Sequence, residues 1–443
     1  MAFFKLGKLK LPHRKDTAGM PAMRMDAPKE VLLPMSQHIG APATPVVKAG
    51  DKVFVGTLVG EAGGYVSSPI YSSVSGTVKK VENYLMSSGR ICPAVRIESD
   101  GEMTKDPSIA PPTITDFDSF SEAVRKSGLV GLGGAGFPTA VKLDAEKKGL
   151  IKKIIINGAE CEPYITSDTR TMLEDSDYIK AGVMLLEKYI SADEIVIGIE
   201  GNKPECIEKL CEVFSSDSKV TVMPLPESYP QGAEKILIYN TTGLVVPEGG
   251  LPADVGCLVM NVTSVAFIAK YVESGMPLVE KCLTVDGSAI KNPMNVIVPI
   301  GTSISDVIEF TGGFKEEPFK VLYGGPMMGI AVYSLNDPIM KNNNAIVAFN
   351  KRDAAVREPD PCIHCGRCVA ACPMGLNPTL YAKAMRVEDE GERIARFKDA
   401  SLSLCIECGC CSFGCPSRRP LVDTNRAAKA EMRAYDAKQQ KKS

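Results

Sequence analysis

The stretch GLGGAGFPT, residues 131–139, decides how the middle of this chain is read. Gly131, Gly133 and Gly136 satisfy G-x-G-x-x-G, the spacing that lets a backbone turn approach a dinucleotide pyrophosphate. That reading requires a buried strand feeding into the first glycine, because the turn has to deliver the pyrophosphate to the start of the next helix. The residues in front, FDSFSEAVRKSG from Phe117, instead space Phe117, Phe120, Val124 and Leu129 as on one helical face and end in Gly128, a helix-terminating glycine. A helix runs into the loop, and the simple Rossmann reading is demoted.

Outward from the loop, about Asp116 to Gly275 alternates buried β-branched runs with amphipathic helices. KKIIIN and EIVIGIE are such runs, and DYIKAGVMLLEKYI is such a helix, which predicts an α/β layer on a largely parallel sheet. Toward the N-terminus, Met35 to Ile97 is rich in Val, Gly, Ser and Pro, with alternating stretches such as KVFVGTLVG and SGTVKKV that predict short strands and tight turns. VKAGDKVFVGTLVG with VSGTVKKV resembles the barrel-sandwich fold of biotinyl and lipoyl carriers. Those carriers need a lysine at the hairpin tip, whereas no lysine lies between Lys52 and Lys79 and the matching position is Tyr65, so no covalent swinging-arm cofactor is expected. Toward the C-terminus, CLTVDGSAIKNPMNVIVPIGTSISDVIEFTGGF predicts strand, turn, strand and a short helix capped by Ser303 or Ser305. It resembles the soluble-ligand-binding β-grasp.

The bulk numbers bound the class. At 443 residues, 44% hydrophobic and 23% charged, the chain has room for two to four domains with their own cores. No apolar run reaches the ~18 residues of a membrane span, and MAFFKLGKLK lacks the features of a signal peptide, so a cytoplasmic location is expected. A net charge of −2 excludes a global basic field for nucleic acid, although Arg426 to Lys442 is locally basic and reads as a solvated helix end.

Fifteen cysteines are distributed unevenly. Cys92, Cys161, Cys206, Cys211, Cys257 and Cys282 are scattered and read as small buried hydrophobes, but nine lie between Cys362 and Cys415. CIHCGRCVAACP and CIECGCCSFGCP both follow C-x2-C-x2-C-x3-C-P, the spacing of two-cluster ferredoxins, in which the fourth cysteine serves the other cluster. Two crossed [4Fe-4S] ligand sets are expected: Cys362, Cys365, Cys368 and Cys415 for the first, and Cys405, Cys408, Cys411 and Cys372 for the second. Zinc explains neither the third cysteine nor Pro373 and Pro416. Cys410 reads as an unligated neighbour, and the residues between the runs predict a helical insertion.

GLVGLGGAGFPTAVKL, NGAECEP from Asn157, GAEK from Gly232 and MNVTS from Met260 together resemble, in order, the flavin loop, N-x-D-E-x-E-P, G-E-E-T and N-N-V-E-T segments of the NADH-oxidising flavoprotein subunit of respiratory complex I. That resemblance implies FMN contacts from Gly131, Gly133, Gly134, Gly136, Lys142, Asn157, Glu160 and Asn261, with Glu162 and Glu234 near the NADH pocket. The chain departs from the pattern at Ala159 and Met260. The whole order resembles the RnfC component of the Rnf ion-translocating ferredoxin:NAD oxidoreductases: a basic GKLKLPHRK start, PMSQHIGAP, sandwich, flavin fold, β-grasp and two ferredoxin motifs.

The fold this implies is multidomain α+β and α/β. It comprises a barrel-sandwich hybrid over residues 1–110, a flavoprotein-like α/β domain over 111–275, a β-grasp over 276–350 and a helical two-cluster ferredoxin-like domain over 351–443. The family implies FMN, NAD(H) and two clusters, other subunits of a membrane electron-transport complex as partners (a ferredoxin-like iron–sulfur subunit among them), and a peripheral place on the cytoplasmic side of the membrane. A cobalamin reductase of metabolic microcompartments, or a non-catalytic electron wire, are the competing readings.

Overall fold

A computed structural model describes residues 9–356 and 358–440. Gly7 and Lys8 of the basic start, Arg357 in the connector, and Lys441 and Lys442 of the basic tail lie outside the described residues. Among the described residues no helix is long and apolar enough to cross a membrane.

The N-terminal module is a sandwich of two antiparallel sheets. One orders Glu30–Pro34, Ile91–Ser99, Gly76–Leu85 and Lys52–Val53, and the other Thr44–Pro45, Leu58–Glu61 and Ile70–Tyr71. Val31, Leu33, Val59, Ile70, Val78, Val95 and Ile97 are buried between them, while Arg96 faces outward and pairs with Glu30 and Glu82. Tyr65 at the hairpin tip reaches across to the next domain, its hydroxyl donating to Asp144 at 2.7 Å. The carrier-like tip is thus a contact between domains.

Residues 9–25 do not join this sandwich. Met23–Arg24 instead pairs in parallel with Met294–Pro299 and becomes the edge of the β-grasp sheet, whose order continues Glu280–Asp286, Ala345–Phe349, Lys320–Tyr323 and Ile330–Ala331. A two-residue strand carries no periodicity, so nothing in the sequence marks it. Ser303 is the cap of helix Ile304–Phe310, accepting from the Asp306 amide, and Ser305 bonds to the Ser303 hydroxyl at 2.8 Å.

In the central domain Val220–Leu225, Glu194–Glu200, Lys153–Gly158 and Cys257–Asn261 form one fully parallel sheet in that order. Alternate isoleucines serve opposite faces. Ile154 and Ile156 pack with Ile179, Val183 and Val265 from helices Ser176–Tyr189 and Val262–Ser274, whereas Ile155 packs with Leu237 and Ile238 of helix Glu234–Thr242. Burial of each such side chain contributes roughly 1.5–3 kcal/mol, which is why these runs read as continuously apolar. The C-terminal domain is helical, and its insertion forms Pro378–Ala384 and Glu390–Asp399, capped by Asn377 and Asp389. Tyr381, Ile394 and Phe397 pack there against Ala428 and Met432 of the long helix Leu421–Gln440.

One buried lysine ties three modules together. Lys341, in the segment before the last β-grasp strand, donates from Nζ to Gly128 O at 2.7 Å, Pro69 O at 2.5 Å and Ser68 Oγ at 3.2 Å. With no carboxylate beside it, burial pushes its pKa from 10.5 down to about 7. Its charge, after burial, also helps hold neighbouring His38 down at about 4. Between about pH 7 and 10.5 the unfolded chain binds the proton that folded Lys341 does not, so stability rises with pH across that window. The buried Lys281, pushed down to about 8, and Lys15, lowered chiefly by burial, act in the same direction. Denaturant midpoints measured at about pH 7.5 and about pH 9.5 should therefore rise more for the wild type than for Lys341→Met. Equal rises would refute the assignment.

Candidate functional site

The glycine stretch is a pinched loop joining two helices. Val130 bridges to Pro138, the Gly131 amide donates to Phe137 O at 2.8 Å and the Gly136 amide to Gly131 O at 3.2 Å. Helix Phe117–Lys126 leads in through Gly128 and the short helix Thr139–Leu143 leads out, as the demotion of the Rossmann reading requires.

Three domains hold this loop. From the sandwich, the Ile39 amide donates to Gly136 O at 3.0 Å; the next residue, Gly40, has φ +111°, and a Cβ there would fall 2.0 Å from Val66 O. From the β-grasp segment, Asn342 Nδ2 donates to Gly134 O at 3.0 Å, and Lys281 Nζ donates to Leu132 O at 2.8 Å. From the central domain, Ser264 Oγ accepts from the Leu132 amide at 3.0 Å, and a Cβ on Gly133 would come within 3.0 Å of Asn261 Nδ2.

Asn157 and Asn261 are register partners at the C-terminal ends of neighbouring parallel strands, the edge where open α/β sheets bind ligands. Asn157 donates to Gly232 O at 2.9 Å and accepts from the Ala159 amide. Asn261 caps helix Val262–Ser274 and donates to Asp168 Oδ2 at 2.8 Å. Lys142 Nζ pairs with Glu234 at 2.8 Å and donates to Val259 O. The structure therefore brings the glycines, Lys142, Asn157, Glu234 and Asn261 to one end of the sheet.

Two carboxylates have backbone partners that the resemblance does not describe. Glu160 accepts from the Asp168 and Thr169 amides at 2.6 and 3.3 Å and from the Thr169 hydroxyl, so it caps helix Ser167–Glu174. It reaches the loop only through Asp168 and Asn261. Glu162 accepts from the Met327 and Met328 amides at 3.1 and 2.7 Å; burial pushes its carboxyl above the ordinary range, and those amides pull it back. Its charge is directed at a β-grasp turn. Lys15 and Lys203 clamp the intervening backbone, donating to the carbonyls of Glu160 and Glu162 and of Ala159 respectively. Lys281 and Asn342 were not legible at this loop, because their partners are backbone carbonyls, and Asp168 was not, because its partners Asn261 and Thr263 lie more than 90 residues away in sequence.

In the C-terminal domain Cys372, Cys405, Cys408 and Cys411 line one pocket with Pro373, Leu376, Ile406 and Val422. Cys372 is within electrostatic reach of Cys405 and Cys408, and Cys368 within that of Cys362 and Cys415, so each run's fourth cysteine lies with the other run. As a free thiol Cys411 is pushed up to about 12 by burial, then by its cysteine neighbours, so a thiolate there needs a compensating cation. Cys410 lines the same pocket, and four of these five soft thiols in largely apolar surroundings fit an iron–sulfur cluster. Among the described residues no trio of His, Cys, Asp or Glu is arranged to hold a single ion.

Comparison with known proteins follows the same divisions. Residues 4–102 match the RnfC barrel sandwich hybrid domain, 124–270 the Nuo51 FMN-binding domain, 283–331 the SLBB domain and 354–416 the 4Fe-4S dicluster domain. The C subunit of the proton-translocating ferredoxin:NAD(+) oxidoreductase complex of Clostridium ljungdahlii is 45% identical over 83% of this chain and 81% of its own length. The C subunit of the Na(+)-translocating complex of Acetobacterium woodii is 45% identical over 85% and 86%. The chain belongs to the RnfC family. The likeness to NAD+-reducing [NiFe]-hydrogenase, in its air-oxidized state, is one of fold: TM-score 0.52 at 21% identity, covering 73% of this chain and 67% of that one. For the H2-reduced state the TM-score is 0.50 and the chain spans 64% of the hydrogenase chain.

In this RnfC-family chain the residues present fit a flavin. Gly134 has φ +121°, and a Cβ there would meet nothing nearer than Asn344 Nδ2 at 4.0 Å, so the loop keeps an open face. Beside it the buried Asn342 Oδ1 has no hydrogen-bond partner among the described residues. Ala159, the departure from the flavoprotein pattern, is fully buried, and a Cβ on Gly232 would touch its own Cβ at 3.5 Å. Packing accounts for the missing carboxylate.

Proposed function

We propose that this chain is the NAD(H)- and flavin-bearing subunit of a membrane ferredoxin:NAD oxidoreductase, handing single electrons to or from two [4Fe-4S] clusters in its C-terminal domain. The observation that carries this reading is the glycine loop, held open by three domains at the ends of a parallel sheet, in a chain that also presents two crossed sets of cysteines. FMN, when bound, supplies the exchange between a hydride and single electrons that no side chain provides. Gly131, Gly133, Gly134 and Gly136 let backbone approach it closely. Asn157 and Asn261 offer amide groups at the strand ends, and the Lys142–Glu234 pair sets charge there. Glu160 and Glu162 position the backbone through the amides they accept. Cys362, Cys365, Cys368 and Cys415 hold one cluster, and Cys405, Cys408, Cys411 and Cys372 the other.

The chain sits peripherally on the cytoplasmic side, docked on membrane-embedded subunits and an iron–sulfur partner. Relatives of equal identity are named for protons and for Na(+), which supports a choice of ion made in those partners. The cobalamin-reductase alternative is not favoured by relatives named for ferredoxin:NAD(+) oxidoreductase complexes. The test is flavin content. Denaturing the purified chain should release about one FMN, and NADH should bleach the cluster absorbance anaerobically. A chain that holds both clusters, releases no FMN and takes none up would be the non-catalytic wire.

A further inference from the structure

The flavin domain and the cluster domain share a buried hydrogen bond that the reading above leaves unused. Tyr229, in the loop after strand Val220–Leu225, is 2% exposed, and its hydroxyl donates to the backbone carbonyl of Cys408 at 2.9 Å. Glu162 Oε1 lies 3.4 Å from the same hydroxyl. The second cysteine run is fastened to this spot from several sides. Cys410 Sγ donates to Tyr229 O at 3.9 Å, Leu9 and Tyr229 exchange backbone bonds of 3.3 and 2.9 Å, and a Cβ on Gly409 would fall 2.8 Å from Met327 O. Leu11, Tyr229, Ala371, Cys408 and Cys410 form one buried group there. By contrast the beginning of the first run faces outward: Cys365 is exposed and Ile363 is 66% exposed.

We propose that the cluster held by Cys405, Cys408, Cys411 and Cys372 is the one that exchanges electrons with the flavin site, and that Tyr229 is the positioning residue that sets its potential. The proposal rests on the ligand assignment and the flavin reading given above. A hydroxyl has one proton to give, and the shorter contact puts it on the Cys408 carbonyl. Glu162 is held by the Met327 and Met328 amides and does not turn to compete for it. The positive end of the O–H dipole then points at the peptide of a cluster ligand, where it stabilises the more negative, reduced cluster; hydrogen bonds around a cluster tune its potential in this sense. Asn425 Nδ2, 3.4 Å from Cys405 Sγ, and Lys429 Nζ, 2.9 Å from Cys405 O, act on the same cluster from its other side.

The experiment is a potentiometric titration of the full chain followed by electron paramagnetic resonance, with the two signals assigned by Cys362→Ser and Cys405→Ser. In Tyr229→Phe, with iron and FMN content unchanged, the second cluster should become harder to reduce by about three- to tenfold in its equilibrium, roughly 30 to 60 mV, while the first does not move. If both midpoints stay put, or the first moves, the role of Tyr229 is refuted. Should the Phe variant lose iron, Glu162→Gln provides the second reading. Its amide can donate to the Tyr229 oxygen and keep the hydroxyl on Cys408, so the second midpoint should hold or rise and the first stay fixed; a fall overturns the proposal. The order of transfer is read separately. With the first cluster removed by Cys415→Ser, NADH should still reduce the second at the wild-type rate; loss of that reduction overturns the order. If Cys405→Ser leaves both signals intact, it is the ligand assignment that fails, and if wild-type chain releases no FMN, it is the flavin reading.

Discussion

Gly134→Val is expected to give protein with its full complement of iron, at most about a tenth of its flavin and no NADH-dependent reduction of the clusters, while dithionite still reduces them. The backbone at Gly134 sits at φ +121°, which only glycine adopts freely, and a β-branched residue there costs of order 1–3 kcal/mol. The loop has little freedom to relax. Asn342 holds the Gly134 carbonyl, the Ile39 amide holds that of Gly136, and Lys281 holds that of Leu132. A side chain would not collide with protein, since the nearest atom to its Cβ is 4.0 Å away. It would occupy the open face instead, where the flavin has to lie against backbone. Gly101→Val is the control for strain alone. It also has positive φ, +81°, and open space around it, but it lies in the sandwich, away from the loop, and should keep its FMN. Released FMN and iron per chain are the two measurements. A Gly134→Val protein with stoichiometric FMN would remove the loop from the flavin site.

What the sequence disclosed and what it hid follow a physical division. Features carried by side-chain pattern were legible: the isoleucine runs at 154–156 and 195–199 could satisfy only a sheet covered on both faces, and the helix entering Gly131 announced itself through Phe120, Val124 and Gly128. The thiol spacing at Cys362 and Cys405 showed the clusters for the same reason. Features carried by backbone groups were not. Glu162 looked like a charge for the nicotinamide pocket because an acidic residue in a matching motif says nothing of which amides it accepts, and here they belong to Met327 and Met328, 165 residues or more away in sequence. Lys341 and Lys281 would ordinarily be read as solvent-facing; Lys341 donates to the Gly128 and Pro69 carbonyls and Lys281 to that of Leu132, at contacts between domains. The strap formed by Lys15 and by Met23–Arg24 escaped for want of any periodicity.

The proposed crossing of the cysteine sets yields the other large effect. Cys372→Ser should abolish the cluster of the second run, leaving about half the iron, with the cluster of its own run intact. Sequence position alone suggests the opposite, since Cys372 follows Cys368 by four residues. In space, however, Cys372 lines the pocket of Cys405, Cys408 and Cys411, and its half-buried side chain packs with Met374, Leu376 and Cys405. A serine hydroxyl is a hard, weakly acidic ligand, and in that apolar pocket it lacks the soft thiolate character that holds iron in a cube. Cys415→Ser should show the mirror result: Cys415 lies with Cys362 and Cys368, so the first cluster should go and the second remain. Cys410 separates ligation from mere proximity. Its thiol is fully buried and aimed at Tyr229 O, so Cys410→Ser should keep all its iron. Iron analysis with electron paramagnetic resonance of the dithionite-reduced variants distinguishes the schemes. If Cys372→Ser instead removed the signal that Cys362→Ser removes, each run would hold its own cluster and the crossed arrangement would be wrong.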